Sequence, residues 1–181
     1  LMGMSKQLDE IDLITKNKEE PTFDNTIVAM EMSGELLNRV AVVFFALTSA
    51  NTNDEMEKIR AEIAPKLSAH SDKILLNPEL FKRVEEIYTN RESIGLNDES
   101  ILLIEKYYID FVRSGSKLSI KEKDRLKSIN GEISVLQTKF SQNVLKEVNA
   151  SAVIFDSRKD LDGLSNTAIE SAANEANSRG L

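Results

Sequence analysis

The sequence predicts an all-α protein of long helices, and three observations carry that prediction. Proline and glycine number only 3 and 7 among 181 residues, fewer than the turns of a sheet-rich domain demand. Apolar residues recur at steps of three and four through most of the chain, the spacing of a single helix face. Ser, Thr and Asn stand where those patterns begin, twice followed three positions later by Glu. The one exception is the short apolar run Ala152 to Phe155, a candidate strand that would need a partner from elsewhere to satisfy its backbone.

The elements follow in order. Leu8, Ile11 and either Leu13 or Ile14 mark a first helix over Ser5 to Lys16. Pro21 interrupts it, and Thr22 or Asp24 then caps a second helix from Asp24 to about Leu47. Its end is apolar nearly all round (Val40, Val42, Val43, Phe44, Phe45, Leu47), as in a core helix covered on several sides. Thr52 and Glu55 read as a capping box for a third helix, Asp54 to about Leu76, with a kink at Pro65. Asn77-Pro78 restarts the chain with a cap and a first-turn proline. That fourth helix runs to about Arg91 and buries Leu80, Phe81, Val84 and Ile87.

After Gly95, Asn97 caps a fifth helix, Asp98 to Arg113, with Ile101, Ile104, Tyr108, Phe111 and Val112 inward. Gly115 stops it. Ser119 and Glu122 form a second capping box opening the longest helix, Ile120 to about Asn149. Leu126, Ile129, Ile133, Leu136, Phe140 and Val144 repeat along it at steps of 3, 4, 3, 4 and 4. At 1.5 Å per residue such a helix reaches roughly 45 Å. The fifth and sixth helices should form a long antiparallel hairpin. Beyond a polar connector, Ser165 caps a last, alanine-rich helix over Asn166 to Arg179. The expected organisation is a helical domain over 1–150, then a connector and helix over 151–181.

Composition narrows the function classes. Hydrophobic residues at 41% and charged residues at 29% describe a globular, soluble helical chain rather than a disordered one. The net charge is −7 and the basic residues are interleaved with acids, which excludes a nucleic-acid footprint. The most apolar run, Val40 to Leu47, is far short of the roughly 20 residues of a membrane span. With no cysteine, disulfides, thiolate zinc sites and cysteine nucleophiles fall away.

Chemistry-bearing patterns are scarce. A hydrolytic zinc site commonly uses two histidines one helical turn apart with a Glu as base. This chain has one histidine, His70, expected to be a partly exposed helical residue. A serine triad would lack its base, and no nucleophile elbow or phosphate-binding loop is present. The acids Glu85-Glu86 and Asp54-Glu55-Glu57 read as solvated faces and first helical turns. Tyr108 reads as core; Tyr107 points elsewhere and could face a groove.

Several segments nevertheless resemble a known family. Pro21-Thr22-Phe23-Asp24-Asn25-Thr26-Ile27, followed by Ala29-Met30-Glu31 and Ser33-Gly34, is similar to the opening of the thimet oligopeptidase and neurolysin family. Phe44 to Asn53, Ala64-Pro65-Lys66-Leu67, Leu76 to Phe81, Tyr107 to Gly115, Phe140 to Asn143 and Asn149-Ala150-Ser151 resemble its bacterial peptidyl-dipeptidase branch. Each motif is short; their order along nearly the whole chain is the specific signal.

The resemblance implies the N-terminal region of a two-lobed helical zinc metallopeptidase that removes C-terminal dipeptides from short peptides. In that family the His-Glu-x-x-His zinc helix lies much later. It is absent here, so no catalytic, cofactor-binding or metal-ligating residue is assigned to this chain. Zinc is expected in the full-length parent only. The expected partners are short peptide substrates and the catalytic half of the same polypeptide, with no nucleic acid and no membrane. The expected role is a non-catalytic wall limiting access to the active-site channel, in a cytoplasmic enzyme, or a periplasmic one if a signal preceded Leu1. The start Leu1-Met2-Gly3-Met4 reads as an arbitrary cut. Two other readings stay open: a free-standing helical interaction module, and a piece of an internally cutting oligopeptidase.

Overall fold

Met4, Ile11 and Ile14 share one face of the first helix, α1 (Met2–Lys16), and that face begins the core. Ile14 rather than Leu13 is the inward residue. The computed structural model describes residues 1–180, and among them every regular element is helical. Two units are distinct, Leu1–Gln142 and a second from Asn143 onward.

The expected second helix is divided. Thr22 and Asn25 cap each other reciprocally, opening a wide π-helical turn at Phe23–Val28 that continues into α2 (Ala29–Glu31). The chain then breaks at Gly34, whose φ is +76°. This left-handed conformation costs a side chain roughly 1–2 kcal/mol and so selects glycine. The Gly34 amide donates to Glu10 Oε2 at 2.8 Å, which fastens the break onto α1. Helix α3 (Glu35–Ala50) follows. It does not become a core helix: only Thr48 on it is buried and Leu36, Leu37, Ala41 and Phe44 are half-buried, while Val40, Val42, Val43 and Leu47 face outward.

Helix α4 (Asp54–Leu75) passes through Pro65 without ending. Its cap is Asn53, which accepts from the Met56 amide, and Thr52 bonds Glu57 instead of Glu55. The sequence signal was misplaced by one residue because Asn53 competes with Thr52 for the same role. Helix α5 (Pro78–Asn90) matches its pattern, with Asn77 accepting from two amides and Leu80, Phe81, Val84 and Ile87 all buried. It pairs extensively with α6 (Asp98–Arg113), capped by Asn97. The core therefore lies where α1, the π-turn with α2, α5 and α6 meet, and Ile27, Leu80, Val84, Ile104 and Phe111 are sealed in it.

Helix α7 (Ile120–Ala150) starts on the Ser119–Glu122 box, with Ser119 N and Oγ both donating to Glu122 Oε2. These bonds hold the Glu122 carboxyl below its usual pKa. Of its expected apolar stripe, Ile133, Leu136, Phe140 and Val144 are exposed. Hydrogen bonds run from α7 to α4 rather than along an α6–α7 seam: Asn130 Nδ2 donates to the buried Asp72 (2.7 Å), and Gln142 Nε2 to the Glu57 carbonyl (3.0 Å). A stripe at helical spacing states that something should cover it, not what does.

In the second unit, Ala152 to Phe155 is exposed and forms no strand. Its backbone finds no pairing edge among the described residues, so the candidate strand is not realised. A short 3₁₀ turn (Arg158–Leu161) leads to α8 (Asn166–Ser178), where Ser165 accepts from the Ala168 amide. No α8 residue is buried.

Candidate functional site

Arg83 interrupts the apolar face of α5, between Leu80 and Val84, and is buried. A buried guanidinium without partners would cost far more than a helix can return. Here every partner is neutral. Arg83 Nε donates to Thr26 Oγ1 (3.1 Å), Nη1 to the carbonyls of Asn17 (3.1 Å) and Glu19 (3.2 Å), and Nη2 to Asn25 Oδ1 (2.8 Å). Asn25 also donates to the Glu20 carbonyl and accepts from the Thr22 amide. The Pro-Thr-Phe-Asp-Asn-Thr motif therefore has a structural use: it closes the turn after α1 and presents oxygens to Arg83. Arginine's planar fork suits four divergent acceptors, whereas lysine's single ammonium does not. An arginine inside an i, i+3, i+4, i+7 apolar stripe was the sequence signal for this node.

His70, expected to be partly exposed, is buried on α4. Gln7 Nε2 donates to Ser33 Oγ (3.4 Å), so its Oε1 accepts from His70 Nε2 at 2.7 Å. That leaves Nδ1 as the lone-pair nitrogen, buried and without a partner. Burial, and secondarily the Lys73 charge, push the imidazole pKa down. The open cleft beside it, about 370 Å³, is lined by Leu1, Met4, Ser5, Leu8, Lys66, Ala69, His70 and Lys73. Its charges are cationic, an environment that repels a divalent metal. Among the described residues no three His, Cys, Asp or Glu side chains gather as a metal would require, so these residues do not fit a zinc centre.

The acids behave as structural groups. Glu85 pairs with Lys117 (3.0 Å), and Glu57 accepts from Thr52 (2.8 Å) and lies 3.7 Å from Arg60. Asp54 and Glu55 are exposed at the start of α4, where the helix dipole favours them.

The aromatics form a ladder between α5 and α6. Tyr88 lies parallel to Tyr108 at 3.8 Å between centroids, and Phe81 stacks at 6.0 Å on both Tyr108 and Phe111. Cations close its ends: Arg91 sits 4.2 Å over Tyr88, and Lys117 sits 5.2 Å from the Tyr108 centroid while donating to its hydroxyl. These bonds to Tyr108 and Glu85 raise the Lys117 pKa. Tyr107 is half-buried, and its hydroxyl donates to Glu31 Oε1 at 2.5 Å. Burial first, then Glu31, drive its phenol above the ordinary range.

A further open cleft of about 410 Å³ lies among α4, the end of α6 and α7, lined by Ser68, Ser71, Asp72, Arg113, Asn130 and Gln137 together with Leu75, Leu126 and Ile133. Asp72 in it accepts from Asn130. No helix among the described residues is long and apolar enough to cross a membrane.

What the geometry defines is a set of packed helices in which Arg83, His70 and Asp72 form hydrogen bonds from one element to another. No protein-family model matches the chain. It is 40% identical to a dipeptidyl carboxypeptidase of Escherichia coli (strain K12) over 179 residues, covering 99% of this chain and 26% of that protein. A dipeptidyl carboxypeptidase of Salmonella typhimurium is 38% identical over the same span. Oligopeptidase A of Haemophilus influenzae is 26% identical over 160 residues, covering 88% of this chain and 24% of that protein. The chain thus spans about a quarter of the length of the curated relatives it matches. The resemblance carried by the motifs holds along essentially the whole chain, which is similar throughout to one part of these dipeptidyl carboxypeptidases.

Proposed function

We propose that this chain is the N-terminal, non-catalytic part of a zinc-dependent peptidyl-dipeptidase, and that it limits access to the active-site channel. The observation that carries the reading is the 40% identity with a dipeptidyl carboxypeptidase across 179 residues. The parent removes C-terminal dipeptides from short peptides, with zinc and its general base supplied by the remaining polypeptide. Zinc bound there would supply Lewis-acid chemistry to the scissile carbonyl and to a water molecule. The chain's own contribution is steric. Long helices bound by buried polar nodes such as Arg83 form a stiff wall, which admits a flexible short peptide and turns away a folded protein.

The full-length polypeptide should release dipeptides from a peptide with a free C-terminus, lose activity to a zinc chelator, and recover it on adding zinc. A peptide with an amidated C-terminus separates exo from endo action. Internal cleavage of the amidated peptide at an undiminished rate would replace the dipeptidase reading with an oligopeptidase one.

A further inference from the structure

Two helices of the first unit each carry an apolar row that is largely exposed among the described residues, half-buried only at its first position (Leu36 on α3, Ile129 on α7). On α3 the row is Leu36, Val40, Val43 and Leu47, spaced 4, 3 and 4, with Val40 60%, Val43 57% and Leu47 53% exposed. Leu37, Ala41, Phe44 and Thr48 repeat at 4, 3 and 4 one position along, and these are the more covered ones. The close approach of Gly3 to Leu37, where a Cβ would lie 3.0 Å from the Leu37 Cα, places α1 against the start of this edge. Helix α3 therefore carries two adjacent apolar stripes, of which one is the more covered. On α7, Ile129, Ile133, Leu136 and Phe140 repeat the same spacing, with Leu136 63% and Phe140 69% exposed.

We propose that the rest of the same polypeptide, about three-quarters of the relatives' length, packs on these two rows and makes them interior. This rests on reading the chain as part of a longer peptidase. Apolar rows at helical spacing are what a docking helix or sheet face requires. The alignment covers 99% of this chain and only 26% of the first relative, so a long covalently attached partner is at hand at high effective concentration. A peptide substrate fits the rows poorly, because an extended backbone needs hydrogen-bonding groups and these eight side chains offer none. No described helix is long and apolar enough to cross a bilayer.

The test uses the full-length protein in a background without cysteine, carrying Val43→Cys or Phe140→Cys, with thiol labelling timed in the native monomer and in denaturant. Both thiols should label more than about a hundredfold slower in the native protein, as buried positions do. Hydroxyl-radical footprinting of Leu47 and Phe140 in the unsubstituted protein reads the same rows should either variant fail to fold. Native labelling or oxidation within about threefold of the denatured rate would overturn the proposal. So would protection that appears only on raising protein concentration, which assigns the rows to a second copy, or only with peptide present, which assigns them to substrate. Dipeptide release is measured separately, so a wrong activity and an uncovered face give different results.

Discussion

Arg83 is the side chain whose removal should be felt most. Replacing it with alanine takes away four hydrogen-bond contacts at 2.8–3.2 Å and the stem that fills the space beside Leu80. The Asn17 and Glu19 carbonyls belong to a surface turn and can be rehydrated. Thr26 cannot, since it is fully buried, and Asn25 loses one of its donors. Counting one buried acceptor left short, one turn loosened and the lost stem, the cost is about 3 kcal/mol. For a chain of this size each kcal/mol lowers Tm by about 2–4 °C, giving a fall of about 6–12 °C. Urea unfolding followed by helical circular dichroism supplies the free energy. Arg83→Lys should lose less, about 1–2 kcal/mol, because one ammonium can serve only part of the fork. An Arg83→Ala loss below about 0.5 kcal/mol, the range of ordinary surface changes, would refute the idea that the motif turn and α5 are held through this side chain.

The other predictions read different joints. Gly34→Ala should cost about 2 kcal/mol in the same denaturation assay, since its φ is +76° and its Cβ would fall 2.4 Å from the Gln7 amide carbon. Asn130→Ala leaves Asp72 buried without its 2.7 Å donor and should cost about 2 kcal/mol; the change should be smaller in an Asp72→Ala background, the mark of a coupled pair. Tyr107→Phe should cost about 1 kcal/mol through loss of the Glu31 bond. It should also remove one tyrosine that resists ionisation when ultraviolet absorbance is followed upward from pH 10, because that phenol is raised above the usual range.

Much of the architecture was readable because the relevant signals are local. Asn77-Pro78, Asn97, Ser119 with Glu122, and Ser165 each cap the helix they precede, since a cap depends on only four residues. The α5 stripe was equally plain. The break at Gly34 was missed because glycine within an apolar pattern is tolerated in many helices, and the bond from Glu10 that fixes it comes from 24 positions away. The cover over α3 and α7 was unreadable for a deeper reason. Periodicity shows which face is apolar, whereas the identity of the covering element is a long-range property. For the candidate site, Arg83 could be picked out as a charge inside the apolar stripe of α5. The structural use of Pro21 to Thr26 could not, because it depends on Arg83, more than fifty residues downstream.

His70 gives the prediction whose sign is least open to reinterpretation. Its pKa in the folded chain is pushed down, by burial first and by Lys73 second. A lowered histidine pKa means that the unfolded chain takes up the proton more readily. The contribution to stability is therefore complete above the unfolded value of about 6.5 and drains away as pH falls from there towards the folded value. The geometry supplies the cause. Nε2 already donates to Gln7, so an added proton must sit on Nδ1, which is buried with no acceptor beside it. Lys66 and Lys73 line the neighbouring cleft and oppose a further positive charge. Unfolding free energies of the natural chain and of His70→Gln, measured from pH 7.5 to 5, should converge as the pH drops, because glutamine takes up no proton. Parallel curves would mean that protonated His70 finds an acceptor, and the node joining α1, Ser33 and α4 would then need a different hydrogen-bond assignment. The reasoning keeps burial and charge separable: salt should weaken the Lys73 contribution and leave the desolvation of the ring untouched.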